Sequence, residues 1–310
     1  MLPVLQATLP VFAIIVLGFA LRKGGYIAAD KWSAVEDLCF YLLFPALLAS
    51  TMIKADLSGV EAGAFTLTLL LTMAIIGGSV LALWPLLRRR IGTRPPQFST
   101  IYQTITKWHG FIALAIVLNL YGPEGGALIA IVFATLVPVL QVSNIMVLAA
   151  FSDKKADMRM VGLTIVKNPL IWGIGLGLVL NGAALWPPIM STLDLLGRSA
   201  LGMSLLALGA GLSLKAAMHP SKEMLIGIIG KLLFTPLVMM SVAWALGVSG
   251  LERNVLLIAA SVPTAMNGYV LARKMGGDAE LYATISTVQT VVSFVTIPLF
   301  LWLTTAGYTG

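Results

Sequence analysis

The sequence predicts an all-α integral membrane protein: ten transmembrane helices in two inverted five-helix repeats, with helices 4 and 9 broken and crossing at the midplane. Three observations predict it. The 310 residues are 58% hydrophobic and 11% charged, with a mean hydropathy of +0.95, where a soluble domain carries about 25% charged residues. The apolar residues gather into runs near the roughly 20 residues that span a bilayer core about 30 Å thick. Motifs in the first five runs recur in the last five.

The runs cover 4–21, 35–53, 63–86, 99–120, 126–151, 163–181, 194–214, 224–247, 254–272 and 281–304. They leave so little chain between them that no soluble domain is expected. The opening "MLPVLQATLP" lacks the basic flank of a secretory signal peptide, so the first run is expected to be retained as a span. A single cysteine, Cys39, excludes an internal disulfide and a cysteine metal cluster.

A net charge of +7 and a pI near 9.6 could suggest nucleic acid. The bases sit instead in short loops. Loops after odd-numbered runs hold Arg22, Lys23 and Lys31, then Arg88, Arg89, Arg90 and Arg94, then Lys154, Lys155 and Arg159, then Lys215 and Lys222, then Arg273 and Lys274. Loops after even-numbered runs hold little beyond Lys54 and Arg253. The positive-inside rule therefore predicts a protein of the cytoplasmic membrane, with both termini facing outward. Its surroundings are the lipid bilayer, not nucleic acid.

The halves 1–152 and 153–310 read as repeats. "LPVFAIIVLGFAL" (9–21) aligns with "NPLIWGIGLGLVL" (168–180), pairing Pro10 with Pro169 and Gly18 with Gly177. Asp37 and Leu38 of "EDLCF" match Asp194 and Leu195 of "LDLLG", and both aspartates read as helix N-caps. "TKWHGF" (106–111) aligns with "TAMNGY" (264–269), so Thr106 meets Thr264, His109 meets Asn267 and Gly110 meets Gly268. Five spans per half is an odd number, so the second half enters from the opposite side, the inverted repeat of many secondary transporters.

Pro263 and Gly268 break helix 9, because proline removes a backbone hydrogen bond and glycine loosens the chain. Gly110 breaks helix 4 at the equivalent place. His109 lies about ten residues and so roughly 15 Å from one membrane face, and Asn267 roughly 20 Å from the other. Two breaks meeting there aim freed N–H groups and half-helix dipoles at one point, where an anion could be held.

At these residues the sequence resembles the auxin efflux carrier family, which includes bacterial permeases for malonate and malate-like acids. "PTAMNGYVLARKMGGDAELYATI" is close to that family's ninth span, and "NPLIWGIGLGLVLNGAAL" and "LLALGAGLSLKAA" to its sixth and seventh. The resemblance implies a scaffold of helices 1, 2, 6 and 7 that forms a homodimer surface, and a transport domain of helices 3–5 and 8–10. It implies elevator-like alternating access, with a small organic anion bound at the crossing. Members commonly carry a small polar residue before the helix 4 break and a proline after it. Here Trp108 and His109 occupy the first place and Ala115 the second.

The candidate substrate site is Lys107, His109, Gly110, Thr264, Asn267 and Gly268, with Pro263, Gly110 and Gly268 shaping the breaks. Lys107 reads as a counter-charge for a carboxylate, or as a side chain snorkelling to the cytoplasm. His109 can bind substrate, carry a proton near its ordinary pKa of about 6.5, or bond a neighbouring helix. Thr106 and Thr264 are candidate donors, or bond back to their own helices. Lys231 reads as snorkelling, and Gln141, Asn144 and Gln289 as inter-helix hydrogen bonders that could also line a path.

No metal or cofactor is expected, since His219 is the one other histidine and sits near a loop. The chain has no H-E-x-x-H and no P-loop motif, so neither an intramembrane metalloprotease nor an ATP-driven pump is indicated. His109 has no evident serine partner for a hydrolase. The leading expectation is a secondary transporter of a small organic anion. The alternatives are a sodium-coupled symporter of the bile-acid type, for which the crossing offers few acidic groups, and a non-transporting sensor on the same fold.

Overall fold

A computed structural model describes residues 2–55, 62–152, 158–212 and 220–306. Lys154, Lys155, Lys215 and His219, and the repeat boundary at 152–153, lie at or outside the limits of these residues. The α-helices are α1 (Leu2–Lys23), α2 (Trp32–Leu38), α3 (Phe44–Lys54), α4 (Ala62–Ala82), α5 (Trp84–Arg90), α6 (Pro95–Thr106), α7 (Gly110–Ala150) and α8 (Met158–Val166). There follow α9 (Pro169–Val179), α10 (Pro187–Gly211), α11 (Lys222–Ile229), α12 (Thr235–Ala245), α13 (Gly250–Ser261), α14 (Gly268–Met275) and α15 (Ala279–Ala306). Two π-helical turns, Cys39–Leu43 and Gly230–Phe234, join α2 to α3 and α11 to α12. Among the described residues no strand occurs.

Among the described residues seven helical runs are long and apolar enough to cross a membrane, against the ten spans expected. The expected spans 4 and 5 fall in one run, Pro95–Ala150, which folds at Gly122 with φ 58° and ψ −148°, a conformation open to glycine. Expected span 6 is divided at Lys167 and Asn168 between α8 and the short α9. Expected span 9 is divided between α13 and α14.

The helices form two compact units. The first comprises Met1–Val60, Phe111–Ala134 and Leu163–Leu212. Its helices touch backbone to backbone at glycines: a Cβ on Gly18 would lie 2.0 Å from Leu206 O, and one on Gly209 1.8 Å from Ile15 O. A Cβ on Gly173 would lie 2.6 Å from Pro45 O, and one on Gly177 2.8 Å from Ala49 O. Small residues at such crossings let dispersion contacts replace the hydrophobic drive that lipid does not supply.

The N-cap reading of the two aspartates is corrected here. Helix α10 begins at Pro187, capped by Trp186, which leaves Asp194 inside it, where it accepts from Lys54 Nζ at 2.5 Å. Asp37 lies near the end of α2, whose N-cap is Lys31. Both helices extend further toward their N-termini than the apolar runs do, and in α10 Pro187 at the first helical position is a start signal that hydropathy alone ignores.

The second unit comprises Glu61–Gly110, Thr135–Gly162 and Ser213–Gly310. Its polarity is inside out. Thr104, Thr290, Ser286, Gln103 and Gln289 are buried, while Leu70, Trp244, Val270 and Val295 are exposed. Lipid welcomes the apolar faces, and the buried polar side chains bond each other and the backbone. An aromatic cluster of Trp84, Phe98 and Phe151 closes one end, with ring centroids 4.7–5.1 Å apart.

Candidate functional site

Two helix breaks in the second unit build the site. Helix α6 ends at Thr106, and Lys107 leaves it extended at φ −65° and ψ 154°. Helix α7 begins at Gly110, with His109 at its N-cap. No proline lies between them, so the break is held by tertiary bonds. Gln289 Nε2 donates to the freed Thr104 carbonyl at 3.3 Å. Thr106 Oγ1 donates to Tyr102 O at 2.8 Å and lies 3.3 Å from Asn144 Oδ1.

In the second break α13 ends at Ser261 and α14 begins at Gly268, with Asn267 at its N-cap. Val262 is extended at φ −70° and ψ 150°, the region that a following proline enforces. Thr264 N–H donates to Gln289 Oε1 at 2.9 Å, and Gln289 Nε2 also donates to Gly227 O at 2.9 Å. One amide therefore ties both breaks to α11. Tyr282 donates its hydroxyl to Ala265 O at 2.6 Å and lies 3.0 Å from Thr264 Oγ1. Gln103 Nε2 reaches Gly268 O at 3.3 Å.

The breaks meet through their side chains: Lys107 Nζ donates to Asn267 Oδ1 at 3.2 Å. Lys107 is half-buried and Asn267 exposed, so the polar atoms of both remain accessible. The ammonium keeps two further N–H donors and the amide its NH₂, a set suited to a carboxylate. The other sequence candidates are enclosed. Thr264 is 0% exposed with its hydroxyl against Tyr282, His109 is 6% exposed, and Gly110, Pro263 and Gly268 are buried. A Cβ on Gly268 would lie 2.0 Å from the Tyr282 hydroxyl, so glycine is required there.

Tyr282 and Gln103 escaped the sequence reading, because a polar group in an apolar helix does not name its partner. Gln289 is an inter-helix bonder, 0% exposed. Lys231 is corrected: at 1% exposure it is enclosed by protein and does not snorkel. Ala115 lies inside α7, and the first break forms without a proline there. Among the described residues no group of three His, Cys, Asp or Glu could hold a metal ion.

The membrane transport protein family model matches residues 3–301. The chain belongs to this family, the auxin efflux carriers. A protein of Methanothermobacter thermautotrophicus, named as an uncharacterized transporter, is 23% identical over 296 residues, 95% of this chain and 96% of its own. A protein of Rhizobium meliloti with the name "Putative malonate transporter" is 23% identical over 317 residues, 96% of this chain and 95% of its own. An uncharacterized transporter of Methanocaldococcus jannaschii is also 23% identical, across 96% of this chain and 98% of its own. The protein is a membrane transporter and not an enzyme.

Proposed function

We propose that this transporter is a secondary permease for a small organic anion, malonate or a related short dicarboxylate, bound where the two breaks meet. The observation that carries the reading is the Lys107–Asn267 pair, a cation and an amide side by side and open to a ligand. The half-helices that start at Gly110 and Gly268 add the positive ends of their dipoles. The name of the Rhizobium meliloti relative supports malonate as the first substrate to try. Lys107 and Asn267 bind the carboxylate, and Pro263, Gly110 and Gly268 shape the breaks. Thr264 belongs to the brace, since its hydroxyl is occupied, and His109 lies behind the ligand as an N-cap.

The ten spans, their inverted repeat and elevator-like movement belong to the same proposal. The run Pro95–Ala150 is long enough for two crossings, and α8 with α9 and α13 with α14 each add a divided one. Equivalent residues also behave alike. Gly18 approaches Leu206, and its repeat mate Gly177 approaches Ala49. His109 and Asn267 are both N-caps, each followed by the glycine that starts a helix. One contact unit collects both breaks, as a moving domain needs.

Counterflow into proteoliposomes with labelled malonate, malate, short monocarboxylates and an indole acid tests this reading. Malonate or malate is expected to exchange, with the signal lost in Lys107→Ala and Asn267→Ala while both variants stay folded in detergent. Wild-type exchange in both variants would remove the site.

A further inference from the structure

Lys231 is the most unusual side chain in the second unit. It sits in the π-helical turn Gly230–Phe234, midway along the apolar run Lys222–Ala245, and is 1% exposed. A lysine at such depth is costly even on insertion scales that allow relaxation. Burial against protein makes an unpaired ammonium dearer still. Among the described residues no carboxylate pairs with it; the Lys54–Asp194 salt bridge belongs to the other unit.

The elements packed around the turn are α6, α11, α12, α13 and α15. Their charged and titratable groups lie elsewhere. Lys222 and Glu223 open α11, with Glu223 near Thr93 Oγ1 at 3.3 Å. Glu252 and Arg253 are in the first turn of α13, and Glu280 in that of α15. Tyr282 holds the second break, while Tyr102 lies in α6 and Lys107 caps that helix. No carboxylate of these elements lies along the buried middle of the bundle.

What does lie there is the end of a broken helix. Gly227 and Gly230 pack directly on the last turn of α6: a Cβ on Gly227 would meet Thr104 Oγ1 at 3.2 Å, and one on Gly230 would meet Ile105 at 2.5 Å. Lys231 follows Gly230, so its backbone stands beside the C-terminal turn of α6, and the same π-turn packs on α13. The C-terminal ends of helices carry about half a negative charge each, with unsatisfied carbonyls. Where discontinuous helices cross in transporters, such ends coordinate a coupling cation.

We propose that Lys231 is a built-in cation of this bundle: its ammonium supplies beside the C-terminal end of α6 the positive charge that a bound sodium ion would otherwise bring. The wide π-turn admits the side chain to the interior, and the two glycines let α11 come close enough to deliver it. Anion binding at the breaks is then independent of sodium. This rests on the proposed function for its consequence in transport, but not for its electrostatics.

The test has two arms. Thermal unfolding in detergent compares sodium chloride with N-methyl-D-glucamine chloride for the wild type, Lys231→Gln and Lys231→Arg. Sodium is expected to leave the wild type and Lys231→Arg unmoved and to raise the melting temperature of Lys231→Gln, whose vacated site now takes the ion. Stabilisation of the wild type by sodium, or no sodium response in Lys231→Gln, overturns the proposal. Should Lys231→Gln not fold, Lys231→Asn serves in its place, and the wild-type comparison still decides. In the second arm, malonate counterflow is expected to lose about tenfold in affinity in sodium-free Lys231→Gln. Silence of the wild type toward every acid would instead refute the proposed function and leave the melting arm to judge Lys231.

Discussion

The two helix breaks are unlike in almost everything except where they lead. The first spans residues 107–109, is rich in bulky and charged side chains, and lacks proline. The second spans 262–267, contains Pro263, and carries no charged or aromatic side chain. Yet both end in an N-cap followed by a glycine that starts the next half-helix. The difference separates two tasks. The second break is written into local backbone chemistry and presents an amide, whereas the first is imposed by its neighbours and contributes the charge.

The sharpest way to break this comparison is Gly268→Ala. Its new Cβ would lie 2.0 Å from the Tyr282 hydroxyl that anchors Ala265 and Thr264, so the second break cannot close correctly. Counterflow is expected to vanish. Activity within a few-fold of wild type would show that the Tyr282 anchor is dispensable.

Next in size is the charge on the first break. Lys107→Ala is expected to weaken anion binding about 10- to 100-fold, and Asn267→Ala less, because both donate to an ionised carboxylate but only the ammonium adds a full opposite charge. Titration calorimetry on purified variants measures both. Equal losses would mean that the amide and the ammonium contribute alike.

Gln289→Leu attacks what the breaks share. It leaves Thr264 N–H and the Thr104 carbonyl without their buried partner, at a cost of about 2–3 kcal/mol in stability. Thermal unfolding in detergent detects this, and an unchanged melting temperature would show that the two breaks are held independently. The smallest effect is expected of Pro263→Ala. The first break stands without a proline, and the bonds from Tyr282 and Gln289 hold the second, so transport should fall no more than a few-fold. Complete loss would mean that the ring itself keeps the second break open.

Much of this was legible in the residues. Gly110, Gly268 and Pro263 carry their meaning locally, whereas aligning the halves set His109 opposite Asn267, and the bond from Lys107 to Asn267 is visible only in the fold. Other features depend on contacts that sequence cannot display. Tyr282 lies in the mixed stretch "DAELYATIS" near the start of α15, and nothing in its neighbours announces the carbonyl of Ala265. Lys231 has the sequence context of a snorkelling lysine, and the orientation of a π-turn sends it inward instead. Asp194 looked like a helix start because hydropathy registers apolar runs, while α10 starts at a proline seven residues earlier.

The glycine crossings of the first unit have a consequence of another kind. Where Gly18, Gly173, Gly177 and Gly209 meet opposing backbone, no side chain intervenes that could rotate aside and absorb an error. Tolerance to substitution is thus distributed unevenly along single helices. On α9, Trp172 and Val179 are 65% and 82% exposed and should accept almost any apolar replacement, while Gly173 and Gly177 should refuse even a methyl group. A saturation library of that helix, sorted for intact protein, would print the outline of its contact face as a periodic row of gaps.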